Sequence, residues 1–189
     1  IAEFWEGDAD QALERLQGAA GLALEFGNDY ILLVAESYLA AVDARQGRLD
    51  DAHSRARTAI QLAERRGWID VPHVAMAYVA LATVHVWWNE LDDAERAGEL
   101  AREAVGRSPE PLLAPIVAQI RAHIRAARGE PLSALEILRG GDAVEKLPHW
   151  VRFTSGLIEA ELWLALGEPA RARSALDAIS SGELSDSAI

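Results

Sequence analysis

Residues 71–106 read V-P-H-V-A-M-A-Y-V-A-L-A-T-V-H-V-W-W, then N-E-L-D-D-A, then E-R-A-G-E-L-A-R-E-A-V-G. This is the pattern of one helix, a tight polar turn, and a second helix folded back on the first. Tyr78, Leu81, Ala82, His85 and Trp88 recur at the spacing of one helical face. Met76, Val79, Thr83, Val86 and Trp87 form an adjacent face that is also largely apolar. A helix apolar over two faces is covered on two sides, as in a stack. Asn89 breaks the run, and Asp92 and Asp93 then open the next helix, where carboxylates suit the positive end of the dipole. Ala94, Gly98, Ala101 and Val105 make a seam of mostly small side chains, which lets two helix backbones approach closely. His85, on the first face, reads as a hydrogen-bonded interior histidine.

The same grammar recurs along the chain. Aligned on Ala94, the matching alanines are Ala12, Ala52, Ala134 and Ala172, at periods of 38 to 42 residues. Five residues before each stands Gly7, Gly47, Asn89, Gly129 or Gly167. Twelve residues before the last four stand Ala40, Ala82, Ala122 and Ala160. Glycine or asparagine at a helix end supplies a positive φ. Pro131 and Pro169 fit the first position of the helix that follows. Leu39 and Leu81 share a repeat position that Arg121 and Glu159 occupy later, so the register is plainest in the first two units. Such periods belong to solenoids of helical hairpins.

The expected fold is all-α, a tetratricopeptide-like α-α superhelix: a right-handed solenoid of about nine helices with no sheet. One repeat domain spans residues 1–180. Its hairpins lie at about 29–66, 71–106, 112–139 and 149–180, after an unpaired helix at 8–26. Residues 1–7 read as the end of a helix that begins upstream, which implies a piece of a longer protein. Trp68 is expected to plug the core, Ser108 to Pro115 to form a loop or helix start, and Asp142 to Pro148 a longer connection. The polar stretch 181–189 is expected to fray.

Composition narrows the function. The 189 residues carry a net charge of −12, which argues against a surface for nucleic-acid phosphates. No cysteine is present, so neither a disulfide framework nor a thiolate metal site arises. No apolar run of membrane-spanning length and no basic leader occurs, which points to the cytoplasm. Phosphate-loop, nucleophile-elbow and zinc-protease motifs are absent. His53, His73, His85, His123 and His149 include no pair at i, i+4. Asp50-Asp51 and Asp92-Asp93 are explained by their places at helix starts. The reading is therefore of a non-enzyme without metal or cofactor.

Hairpin solenoids bind on the concave surface lined by the first helix of each pair. Repeat register places Met76, Val79, Thr83, Val86 and Trp87 there, with Ser37, Ala41 and Arg45 before them. Gln119 and His123 follow, then Thr154, Leu157 and Glu161. From this set Arg45, Met76, Val79, Thr83, Trp87, Gln119, His123 and Glu161 are the candidate ligand-binding residues. An aromatic beside small polar groups suits a sugar ring or an apolar peptide side chain. The competing role for Trp87 is packing against a neighbouring helix.

The phrases A-Y-V-A-L-A-T-V-H-V-W-W-N-E-L-D-D-A-E, from Ala77, and L-W-L-A-L-G-E-P-A-R-A-R-S-A-L, from Leu162, resemble the helical-repeat region of MalT-like, LuxR-family bacterial regulators. The resemblance spans most of residues 5–180. It implies the sensor segment of a transcriptional activator whose nucleotide-binding module and helix-turn-helix lie elsewhere, since neither motif is found here. In those relatives the superhelix receives a small-molecule inducer, a sugar in the best-known case, or a regulatory protein. Contact with DNA would then be made by a domain outside this chain, and no membrane contact is implied. No binding residue transfers by motif, because the repeat pattern marks packing positions. The alternative is a protein-interaction scaffold from a signalling protein, such as a kinase with a MalT-like repeat tail. A homo-oligomer is compatible with either.

Overall fold

The computed structural model describes residues 1–107, 112–140 and 147–186, with side chains described as far as 180. It contains ten helices: α1 (Ala2–Glu6), α2 (Ala9–Glu25), α3 (Asp29–Arg45), α4 (Leu49–Arg66) and α5 (Val74–Trp87) lead. α6 (Leu91–Arg107), α7 (Leu113–Ala127), α8 (Pro131–Arg139), α9 (His149–Ala165) and α10 (Pro169–Asp186) follow. No strand occurs among the described residues. The expected α-α superhelix is therefore the observed fold, with one helix more than the nine expected. The additional helix is α1, the short segment before Gly7.

The helices form two layers. The odd-numbered ones pack in sequence, α3 on α5, α5 on α7 and α7 on α9, and build the inner layer. Each even-numbered helix packs outside: α4 against α3 and α5, α6 against α5 and α7, α8 against α7 and α9. This arrangement explains why α5 is apolar all round. Every residue from Val74 to Ala82 is buried, because neighbours cover the helix on several sides. The outer helix α6 instead buries one stripe of small side chains, Ala94, Ala97, Gly98, Ala101, Ala104 and Val105.

Small side chains set the distance between layers. Ala12, Ala52, Ala94 and Ala134 are wholly buried and Ala172 nearly so. Ala40, Ala82, Ala122 and Ala160, their partners across each hairpin, are buried as well. A Cβ added at Gly98 would meet Ile124 Cδ1 at 3.0 Å, so a methyl group there would require the Ile124 side chain to shift.

Each hairpin turns at a left-handed residue. Gly7, Gly47, Gly129 and Gly167 have φ between 74° and 87°, and Asn89 has φ 59°. The residue after each turn bonds back across it, as in Arg48 N–H to Asp43 O (2.9 Å), Glu90 N–H to His85 O (2.8 Å) and Glu130 N–H to Arg125 O (2.9 Å). The same residues also pair through their side chains. Arg48 Nε donates to Asp43 Oδ1 at 2.8 Å, His85 Nδ1 lies 2.7 Å from Glu90 Oε2, and Arg125 Nη1 donates to Glu130 Oε2 at 3.1 Å. The sign of the pair inverts between repeats while its geometry persists.

At Gly47 nothing lies within 4 Å of an added Cβ, so the backbone alone sets the cost of substitution. Gly47→Ala is expected to destabilise by about 1–2 kcal/mol, the penalty of a left-handed L-residue. Gly47→Asn should cost less, as the native Asn89 turn indicates. Equilibrium urea unfolding of both variants checks the order.

Three expectations need correction. His85 is hydrogen-bonded, but to the Glu90 side chain at the end of α5 rather than deep in the core: its side chain is 17% exposed and lies edge-on to His53 and Trp88. The last helix, α10, extends to Asp186, past the end expected at 180. Within it Ser180 Oγ donates back to Leu176 O. The first central helix begins at Val74 rather than 71, after a turn held by Pro72 and His73 carbonyls. The loops expected at Ser108 to Pro115 and Asp142 to Pro148 lie largely outside the described residues. Trp68 packs against the core, edge-on to Tyr30. No helix among the described residues is long and apolar enough to cross a membrane.

Candidate functional site

The five inner helices surround one cavity of about 560 Å³. α1 contributes Phe4; α3 Ala41, Ala44 and Arg45; α5 the residues from Met76 to Trp87 along one face. α7 adds Ile116, Gln119, Ile120 and His123, and α9 adds Trp150, Thr154 and Glu161. All eight candidate residues named from the sequence line it: Arg45, Met76, Val79, Thr83, Trp87, Gln119, His123 and Glu161. Register brings them together because a period near forty residues returns the same face of each inner helix to the same side. Of the neighbouring residues read onto that surface, Ser37 is buried outside the cavity wall and Leu157 lies away from it.

Two aromatics in the wall escaped the sequence reading. Phe4 stands on the first helix and Trp150 on the ninth, yet their rings meet edge to face at 5.5 Å. Trp5 stacks on Trp150 at 6.3 Å, and Tyr38 packs edge-on to Phe4 at 5.1 Å. Trp150 Nε1–H donates to Trp5 O at 3.1 Å. The superhelix thus winds until α9 touches α1, which walls off one side of the cavity. No local pattern announces a contact of this range.

The polar groups of the wall are few and differently engaged. The Gln119 amide donates both to Val151 O and to Ser155 Oγ at 2.8 Å, tying α7 to α9. Its Oε1 makes no hydrogen bond among the described residues. Thr83 Oγ1 donates to Val79 O and Thr154 Oγ1 to Trp150 O, so both hydroxyls keep only acceptor capacity for a ligand. Arg45 places its guanidinium carbon 4.2 Å from the Trp150 ring centroid and 5.9 Å from that of Phe4. Arg45 is exposed to solvent, yet the aromatic walls crowd its guanidinium enough that desolvation lowers its pKa. It remains a cation at neutral pH.

Trp87 is 72% exposed at the cavity's edge. At that exposure little of its ring is covered among the described residues. Phe26 is as open, at 76%, so it is the place of Trp87 at the rim of the cavity that distinguishes it.

Desolvation lowers the His123 pKa below its ordinary value, against the weaker opposite pull of the Glu161 carboxylate. The folded state then resists protonation more than the unfolded chain does. Its contribution to stability is complete above the unfolded value, about 6.5, and is lost as pH falls toward the lower folded value. The melting temperature should therefore fall below about pH 6.5, and His123→Gln should flatten that limb of the curve.

His85 Nδ1, Glu90 and Asp93 bring ligating atoms within 4.8 Å of one another, a grouping missed by a search for histidine pairs at i, i+4. Each is already engaged, His85 with Glu90 and Asp93 with Arg96.

A family model described as the MalT-like TPR region matches residues 1–188. A solved structure, "Crystal structure of BtubC (BKLC) from P. vanneervenii", is similar over 99% of this chain and 78% of its own, with 19% identity and a TM-score of 0.64. At that identity the likeness concerns the fold. No curated protein matches significantly.

Proposed function

The chain belongs to the MalT-like TPR region family, and from that premise we propose that it is the non-catalytic, effector-sensing repeat segment of a bacterial transcriptional activator. Its inner surface receives a small-molecule inducer or a regulatory protein. Nucleotide and DNA are handled by domains outside it. The observation that carries the reading is the cavity of about 560 Å³, to which every inner helix contributes and at whose edge Trp87 stands open. That volume lies in the range of small-molecule sites, and mostly apolar walls with a few convergent polar groups are what such sites present. Contributions from all five inner helices also give a route from occupancy to output. A bound molecule would add contacts across repeats that meet directly only at the α9–α1 closure and at Arg45 on Trp150, and so would stiffen the superhelix.

Thermal shift of the protein against a panel of sugars and metabolites tests the proposal. A binder should raise the melting temperature in proportion to the logarithm of its concentration. Trp87→Ala should weaken that response by about tenfold or more, with stability changed by less than about 0.5 kcal/mol because the ring is exposed. Absence of any shift, together with stable capture of a protein by pull-down, would overturn the small-molecule inducer in favour of a regulatory protein.

A further inference from the structure

We propose that the ligand of this cavity carries a single carboxylate on an apolar body, and that Arg45 receives the carboxylate while Trp87 and the α5 wall receive the body. The inference rests on the cavity being the effector site. The first support is the isolation of Arg45. In a chain with a net charge of −12 the arginines nearby are engaged: Arg48 and Arg55 with Asp43, Arg121 with Glu99, Arg125 with Glu95, Arg128 with Asp92. Arg45 makes no hydrogen bond or ion pair among the described residues. Its partners are the faces of Trp150 and Phe4. A ring face holds the cation in place but accepts none of the five in-plane N–H donors, so that fork stays available for a planar oxyanion.

Charge then selects among anions. Among the described residues Arg45 is the only arginine or lysine in the cavity wall, and the wall also contains Glu161. With Glu161 in the same wall, a monoanion brings less charge toward that carboxylate than a dianionic phosphate would. The remaining polar groups act mainly as acceptors: Gln119 Oε1 and the two threonine hydroxyls, whose protons are already committed. They favour a ligand that also offers an N–H or O–H. The rest of the wall, from Met76, Val79 and Ile116 to Trp87, is apolar and suits a hydrocarbon or aromatic body.

N-acetyl-L-phenylalanine has all three features, and N-acetyl-L-phenylalanine amide lacks only the charge. Isothermal titration of both into the intact chain separates the terms. The acid should bind about tenfold or more tightly than the amide, as expected for a charge-assisted pair. Arg45→Met should bring the acid down to the affinity of the amide and leave the amide unchanged. Arg45→Lys should retain part of the difference, and the unchanged amide affinity shows that both variants fold. Equal binding of acid and amide, or an acid preference that survives Arg45→Met, would overturn the carboxylate assignment while leaving the effector site intact. Failure of both probes to bind at millimolar concentration would overturn the assignment as well, and the metabolite panel then decides separately whether the cavity is an effector site.

Discussion

Leu81→Ala is expected to destabilise the protein by about 2–5 kcal/mol, whereas Arg121→Ala, at the same place in the next repeat, is expected to cost about 0–1 kcal/mol. Leu81 is buried, as is Leu39 one repeat earlier. Removing either leaves a cavity between helices already fixed by alanine contacts on both sides, so collapse around it is restricted. From the third hairpin onward the position changes chemistry. Arg121 on α7 pairs with Glu99 on α6, with Nη2 to Oε1 at 2.8 Å. Glu159 on α9 pairs with Arg139 on α8, with the charges exchanged. These pairs are partly in water, where attraction is screened and side-chain entropy is lost. The same repeat position is therefore apolar and buried in the first half and charged and paired in the second. Urea unfolding of the two variants, with added salt as a second variable, distinguishes them. Salt should weaken only the contribution of Arg121. A Leu81→Ala cost below about half a kcal/mol, far under the buried-leucine range, would show that this face does not carry the stack.

That contrast also indicates what a reader can take from the chain alone. The alanines of the seam and the residues at the turns are legible because each position has a strict steric demand. Ala94 is wholly buried in the seam between packed helices, and Asn89 holds a positive φ. Positions governed by charge are less legible, since opposite signs serve equally. The turn pair reads Asp43–Arg48, then His85–Glu90, then Arg125–Glu130, which hides its recurrence from any search for one residue type. His85 misleads for this reason: its spacing matches a core face, but its partner is the acid five residues on. The candidate site was legible as a surface, because repeat register alone brings Arg45, Thr83, Trp87 and His123 to one side. The closure of that surface was not legible. It depends on the sum of small rotations between hairpins, and no single repeat reports the sum.

Trp150→Ala is expected to destabilise by about 3 kcal/mol, the lower end for loss of a large aromatic because the ring is half-buried. The loss should be local in a particular way. Trp150 touches Phe4, Trp5 and the Gly7 turn, where a Cβ added to Gly7 would come within 3.2 Å of its ring. α1 has only five residues, too short to persist as a helix unaided. Without the indole, residues 2–6 should exchange amide protons at close to the unprotected rate while α4 to α6 keep their protection, because stacked repeats lose stability nearest the damage. Trp150→Phe should keep the ring contacts and lose the bond from Nε1–H to Trp5 O, at about 1 kcal/mol. The two variants separate closure from ligand binding. Both retain an aromatic or apolar cavity wall, but only Trp150→Phe leaves Arg45 a ring face to lie on at this position. Hydrogen exchange on the pair, read beside the acid–amide affinity difference, should find that difference largely kept in Trp150→Phe and diminished in Trp150→Ala. Protection of residues 2–6 that is unchanged in Trp150→Ala would mean that the contact between α9 and α1 does not hold the superhelix closed.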